Sequence, residues 1–443
     1  MEKKFDRLSN LPFDVLEQIL SCLPIKDAVK TSVLSSNWRY KASTLPNLVF
    51  DDHCISGEFL SVNSSSIDSY NNYNSLMLPY HRLCDKQYYS AWCPNHAAIV
   101  NIVDHVLSSH IGPIHKFRIS HPHLQASHDI DRWILHLSTK SVREFSLEIL
   151  TWRPYRIPSC LLSCQDIVHL ELYHCLLKLP SKFKGFENLK SMDIQRVRLS
   201  RRVLEKLIIR CPLLERLTLA NCDGFSHFKV NAPNLRILDL EGKFEDFILE
   251  NTSNLAEVCI DLDFKANQKQ ILDCNSSNLL KFFADLPNIR KLRVQNQFIK
   301  YLAVGPSADL LPEPCRYLEF LSVCVSFSDL DEILTLLGLL RSSPALKELE
   351  ILVCKEDNAG GGEMYSGLHD NVSCQFTQLQ LVKITGISVK AELDFIKFLL
   401  LSSPVLKTMT VTPTSVNDFL ELVGELLGFR CASASANIIY LEP

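Results

Sequence analysis

One spacing recurs along most of this chain and narrows what it can fold into. An apolar residue is followed by a second three positions later and by a third two positions after that. The early triads are Ile114/Phe117/Ile119, Val142/Phe145/Leu147, Ile167/Leu170/Leu172 and Leu189/Met192/Ile194. Then come Leu214/Leu217/Leu219, Leu235/Leu238/Leu240, Leu255/Val258/Ile260 and Ile289/Leu292/Val294. The last are Leu318/Leu321/Val323, Leu346/Leu349/Ile351, Leu379/Val382/Ile384 and Leu406/Met409/Val411. Successive triads start 20 to 34 residues apart, a separation long enough for a strand and a return segment. The closing two-residue step is strand alternation, which sends the residue between to the opposite face.

This is the L-x-x-L-x-L signature of leucine-rich repeats, in which each unit buries its apolar side only by stacking on the next. Pro212, Pro233, Pro287, Pro344 and Pro404 each stand two residues before a triad. A proline there stops the preceding segment and turns the chain into the strand. Helical runs such as RRVLEKLIIRCP, LDEILTLLGLLRSSP and AELDFIKFLLLSSP lead into three of them. Cys175, Cys222 and Cys354 follow their triads by three residues, where the repeat takes Asn or Cys to satisfy backbone groups at the turn. The expected fold is α/β: an irregular leucine-rich-repeat solenoid of parallel strands with helices on the convex side.

The chain begins differently. In LSNLPFDVLEQILSCLP, residues 8–24, the apolar side chains Leu16, Ile19, Leu20 and Leu23 fall on one helical stripe. Pro12 suits a first helical turn, Asp14 and Glu17 suit the positive end of the helix dipole, and Pro24 stops the helix. Two more short helical runs follow, KDAVKTSVLS and NWRYKASTL. Three short helices seldom hold together alone. Their surplus apolar surface either packs on the next domain or docks another protein.

The stretch DRLSNLPFDVLEQILSCLPIKDAVKTSVLSSNWRYKASTLPNLVFDD, residues 6–52, resembles the plant-type F-box. The resemblance rests on Leu11-Pro12, the Leu16…Ile19-Leu20 run, Leu23-Pro24 and Trp38-Arg39. It implies docking to a Skp-type adaptor, and through it to a cullin, by Leu11, Pro12, Leu16, Ile19, Leu20, Leu23, Pro24, Val33, Leu34, Trp38 and Arg39. The family often carries a second tryptophan after the Trp-Arg pair; Ala42 stands there, which predicts a weaker grip on the adaptor. Residues 374–411 resemble the FBD region of F-box proteins with leucine-rich repeats, and IVNIVDHVLSSHIGPIHKFRIS is similar to the stretch that opens their repeats. The expected domains are an F-box at 6–52, a Ser/Asn/Tyr-rich connection at 53–95, repeats at 96–373, and the FBD region with the last repeats at 374–443. The resemblance implies a non-catalytic substrate-recognition subunit of an SCF-type ubiquitin ligase. The alternatives are a repeat scaffold attached to no ligase and a small-molecule co-receptor.

Composition excludes other classes. A formal net charge of −4 gives no electrostatic case for nucleic acid or an anionic membrane. The first residues lack the apolar core of a secretory signal, and no run approaches a membrane span. A cytoplasmic or nuclear setting follows, in which the 16 cysteines are expected to stay reduced. His81, Cys84, Cys93 and His96 have zinc-like pairing but too short a loop, and HPHLQASHD, with His121, His123 and His128, lacks supporting ligands, so no metal and no cofactor are expected. The segment KEDNAGGGEMYSGLHDN reads as a surface loop without a phosphate-binding lysine. No G-x-S-x-G or H-E-x-x-H motif is present.

The polar residues between repeat leucines should share the concave face: Glu144, Glu148, His169, Glu171, Tyr173, Ser191, Asp193, Gln195, Asp239, Glu241, Glu257, Asp261, Lys291 and Arg293. Their acidic middle, with Glu171, Asp193, Asp239, Glu241, Glu257 and Asp261, marks where a target protein bearing Lys or Arg would bind. The competing reading is a merely solvated sheet face.

Overall fold

A computed structural model describes residues 11–33, 36–51, 94–121, 124–149, 153–244, 246–262, 278–296, 298–304, 314–354, 375–387, 390–415, 424, 426 and 428–442. Residues 53–93 of the connection expected at 53–95, most of the His81/Cys84/Cys93/His96 set, His123, Leu34 and the glycine-rich loop at 355–371 lie outside these residues. The chain divides into two compact units, residues 1–199 and 200–443.

The first unit opens with three helices, α1 (Phe13–Ser21), α2 (Ile25–Lys30) and α3 (Ser36–Ala42), with a single tight turn at Thr31–Val33. Pro12 and Pro24 cap α1 and α2, where a missing N–H costs nothing. Leu16, Leu20, Ile25, Ala28, Trp38 and Ala42 are buried and pack the helices together. Then follow β1 (Asn47–Phe50), β2 (Lys116–His121), β3 (Glu144–Ile149), β4 (Tyr155–Arg156), β5 (His169–Tyr173), β6 (Cys175–Leu176) and β7 (Ser191–Gln195). Strands β1, β2, β3, β5 and β7 form a parallel ladder in that order. Helices Pro94–Ser109 and His128–Leu137 return the chain between strands.

The ladder starts earlier than expected. Leu45, Leu48 and Phe50 repeat the triad spacing and are all buried, and β1 pairs with β2. The tail of the helical segment is therefore the first rung. The buried ring of His110 donates from Nε2 to Leu45 O at 2.8 Å, and Ile111 N–H donates to Ser43 O at 2.7 Å, so the chain leaving α3 is fastened to the first return helix. Burial keeps the His110 imidazole below its ordinary pKa.

The second unit continues with β8 (Arg216–Ala220), β9 (His227–Asn231), β10 (Ile237–Gly242), β11 (Asp246–Glu250), β12 (Glu257–Leu262) and β13 (Lys291–Asn296). It ends with β14 (Phe320–Val325), β15 (Glu348–Val353), β16 (Leu381–Ile387), β17 (Thr408–Pro413) and β18 (Asn437–Tyr440). All except β9 and β11 make one parallel ladder in chain order; those two pair with each other beside helix Arg201–Ile209. Phe228, Phe244, Phe247, Phe282 and Phe298 stack edge and face in succession behind this region. The FBD-like segment continues the same repeat through β16, helix Lys390–Ser402 and β17. At its bulge Gly386 has φ +91°, and a Cβ there would press on Val353 O at 3.1 Å.

Every triad residue named from the sequence is at most 3% exposed, so the spacing and the core coincide. The turn after the strand is left-handed at His174, Arg196, Asn221 and Asn251. The thiols of Cys175 and Cys222 donate to the carbonyls of Tyr173 and Ala220, two residues back, which is the backbone role expected of that position. Cys354 behaves otherwise. It forms a disulfide with Cys324 across β14 and β15, which corrects the expectation of reduced cysteines throughout. Cys324 stands on β14 opposite Leu352 and Cys354 directly follows β15; the two Cα atoms are 6.1 Å apart, within bonding range.

A second ladder runs along the turns before the strands. Asn188, Asn234, Asn254 and Asn288 each directly precede a triad. Their side-chain amides donate to Gln165 O, Pro212 O, Pro233 O and Ser253 O at 3.1, 2.8, 2.7 and 2.8 Å. Each carbonyl belongs to the preceding repeat, two residues before its triad, so the amides stitch one repeat to the next. Asn254→Ala is expected to lower unfolding free energy by about 1 kcal/mol, measured by urea titration. An unchanged midpoint would mean that water replaces the amide without loss.

Candidate functional site

The first candidate is the outer edge of the three helices. The stripe of α1 divides in two. Leu16 and Leu20 are buried inside the unit, whereas Ile19 and Leu23, one turn apart, are 38% and 40% exposed. Pro12, Pro24 and Arg39 are exposed, Leu11 is half-buried, and Val33 is 80% exposed on the turn after α2. Trp38 is buried and supports the helices from within, as does Ala42. Of the residues expected at an adaptor, Leu16, Leu20 and Trp38 thus hold the unit together, while Pro12, Ile19, Leu23, Pro24, Val33 and Arg39 face outward.

The second candidate is the polar face of the ladders. In the first unit, strand register places Arg118, Ser146, Glu171 and Asp193 in one row, with Ser120, Glu148, Tyr173 and Gln195 in the next. The Arg118 guanidinium lies 3.5 Å from the Glu171 carboxylate, and Lys116 bridges Glu144 at 2.8 Å. Gln195 Nε2 donates to Asp193 at 3.0 Å, and the buried Glu148 carboxylate accepts from Ser120. Ser146 is the smallest side chain of its row. Over it opens a hollow of about 110 Å³ lined by Arg118, Glu148, Glu171, Tyr173, Asp193 and Gln195. Arg196 stands 5.7 Å above the Tyr173 ring.

In the second unit one row reads Thr218, Asp239, Cys259, Arg293, Ser322, Glu350 and Lys383. The acids are met by neighbours. Glu257 bridges Lys291 at 3.1 Å, Arg293 approaches Glu350 at 3.9 Å and lies over the Phe320 ring at 5.3 Å, and Glu241 accepts from Asn221 Nδ2 at 2.8 Å. Burial raises the Asp239 carboxyl, while Arg216 and the hydroxyl of Thr218 (3.3 Å away) favour its ionised form. Asp261 is half-buried in the row beyond.

The sequence-expected acidic face is therefore two mixed-charge surfaces, one in each unit. Glu171 pairs with Arg118 two strands away, across Ser146, and Glu257 pairs with Lys291 on the adjacent strand. Reading the residues one by one missed Arg118, Glu350 and Lys383. They occupy the position between the last two apolar residues of their triads, the same signal that found Asp193 and Arg293.

Burial holds the thiols of Cys259 and Cys315 up at about 12 and that of Cys164 at about 11, so none is a thiolate at neutral pH. His96 Nδ1 accepts the Gln125 N–H at 3.3 Å, and among the described residues no group of three or more His, Cys, Asp or Glu could hold a metal. Among the same residues no helix is long and apolar enough to cross a membrane.

Known proteins are similar in sequence. A family profile described as "FBD-associated F-box protein At5g56370, LRR repeats" matches residues 130–351, and an F-box domain profile matches residues 8–50. The F-box/FBD/LRR-repeat protein At1g13570 of Arabidopsis thaliana is 36% identical over 99% of both chains. The FBD-associated F-box protein At4g10400 of the same plant is 25% identical, covering 98% of this chain and 99% of its own. The F-box/FBD/LRR-repeat protein At5g56420 is 27% identical over 65% of this chain and 64% of its own length.

Proposed function

Because the chain belongs to the F-box/FBD/LRR-repeat family, we propose that it is a substrate-recognition subunit of an SCF-type ubiquitin ligase. The F-box docks a Skp-type adaptor, which joins it to a cullin, and the repeats hold the target protein. The observation that carries this reading is the divided stripe of α1. Ile19 and Leu23, with Val33 beyond, leave apolar surface open beside the buried Leu16, Leu20, Ile25 and Trp38. The subunit contributes position rather than chemistry: it raises the effective concentration of target lysines near a recruited conjugating enzyme. Work of this kind suits the cytoplasm or nucleus.

The target would meet the polar faces, where Glu171, Asp193, Asp239, Glu241, Glu257 and Asp261 favour a partner bearing Lys or Arg, which would exchange with Arg118 or Lys291. The hollow itself suits a side chain of the target. Its volume of about 110 Å³ over Ser146 admits one side chain.

Co-purification of the full chain with a plant Skp-type adaptor tests the reading. Ile19→Asp with Leu23→Asp is expected to weaken capture by about 100-fold or more, since two half-exposed aliphatic side chains bury on docking. Far-UV circular dichroism should not change. Aspartate at Leu16 or Leu20 would instead unfold the helices and say nothing about docking. If the wild-type chain retains no adaptor, the ligase reading falls and a repeat scaffold replaces it.

A further inference from the structure

We propose that the outer face of helix Arg201–Ile209 is a second docking surface, shaped for an acidic amphipathic helix of a partner protein. The helix turns Leu204, Leu207 and Ile208 into the core. Arg202, Lys206 and Arg210 recur every fourth residue and form one stripe, about 12 Å long at the helical rise. Among the described residues none of these three side chains has an ion pair or hydrogen bond. The nearby carboxylates are already engaged. Glu205 accepts from Arg201 Nε at 2.8 Å and from Lys229 N–H at 3.1 Å, and Glu250 holds Lys229 Nζ at 2.6 Å.

Internal stability does not account for the stripe. Like charges four residues apart destabilise a helix. Lys206 and Arg210 complement the negative end of the dipole, but Arg202 stands at the positive end, in a first turn with no acid. At the far end of the stripe, Ile209 is 60% exposed and Leu213 is 42% exposed. Three uncompensated cations leading to two open aliphatic side chains are the complement of a helix with carboxylates at one-turn spacing and leucines at one end. A nucleic-acid backbone would use the cations and leave Ile209 and Leu213 wet.

The test is fluorescence anisotropy with the full chain and a labelled synthetic helical peptide carrying glutamate at every fourth position and leucines toward one end. Wild type is expected to bind, and added salt to weaken binding. Arg202→Glu, Lys206→Glu and Arg210→Glu together should weaken it at least about tenfold, as should Ile209→Asp alone. The corresponding triple Gln variant, which keeps a helix-compatible side chain at each position, should weaken it in the same direction. Each variant should still co-purify with the Skp-type adaptor as wild type does. Equal binding by wild type and the triple variants overturns the proposal, as does no binding at all. Tighter binding of single-stranded RNA, indifferent to Ile209→Asp, also overturns it and makes the surface a polyanion site.

Discussion

Truncating Leu240 to alanine is expected to lower unfolding free energy by about 3 kcal/mol. Leu240 is 1% exposed in β10 and is flanked in register by Leu219 of β8 and Ile260 of β12, both fully buried. A hole there removes contacts on two sides at once, and the parallel backbone ladder gives the neighbours little freedom to close over it. Urea titration followed by far-UV circular dichroism measures the loss. Leu240→Met keeps the volume and should cost less than about 1.5 kcal/mol. A loss below about 1 kcal/mol for the alanine variant would show that the rung collapses around the gap.

Replacing Glu332 with glutamine should remove a pH dependence and stabilise the chain in alkali. Glu332 lies at the start of helix Leu330–Arg341 and is 2% exposed. Its Oε2 accepts the Ser326 N–H at 2.7 Å, Oε1 has no hydrogen-bond partner, and Lys300 Nζ stands 3.9 Å away. Burial pushes the carboxyl up to about 7; Asp329 adds to this, while the Ser326 N–H and Lys300 oppose it. The folded pKa exceeds the ordinary value of 4.5, so the folded chain binds the proton more tightly than the unfolded one. Stability therefore falls as pH rises from about 4.5 to about 7 and is level above that, a loss on the order of 3 kcal/mol. Glutamine keeps an acceptor for Ser326 and carries no charge. Urea titrations at pH 4.5, 6 and 8 should show the variant gaining on wild type across the series. Parallel slopes in the two proteins would rule this account out.

The repeat was legible because its signal is simple. A leucine that must be buried on a strand has few substitutes, and the two-residue step marks the strand directly. The first rung escaped because Leu45, Leu48 and Phe50 sit inside a segment already explained by short helices. The asparagine ladder escaped because a polar residue before a leucine carries no period when read one repeat at a time; only the shared place of Asn234 and Asn254 reveals it. The sequence does show Asp329-x-x-Glu332, a helix-start pattern, and Asp329 does accept the N–H groups of Asp331 and Glu332. That Glu332 turns inward to Ser326 follows from tertiary packing. The outer edge of the helices was legible as a stripe and no further. Periodicity placed Leu16, Ile19, Leu20 and Leu23 together, and only the packing of α3 with Trp38 decides which edge stays open.

The fastening of Leu45 to His110 has a mechanical consequence. The chain passes from α3 into β1 without a joint, so whatever grips α1 also holds the first plank of the ladder. Between β1 and β7 lie four strand steps, about 19 Å at the usual strand spacing. Inserting or deleting one repeat there would move the face beyond it by roughly 5 Å. On the ligase reading proposed above, which lysines of a target come within reach would be set by the number of planks, as a crane's working radius is set by its boom.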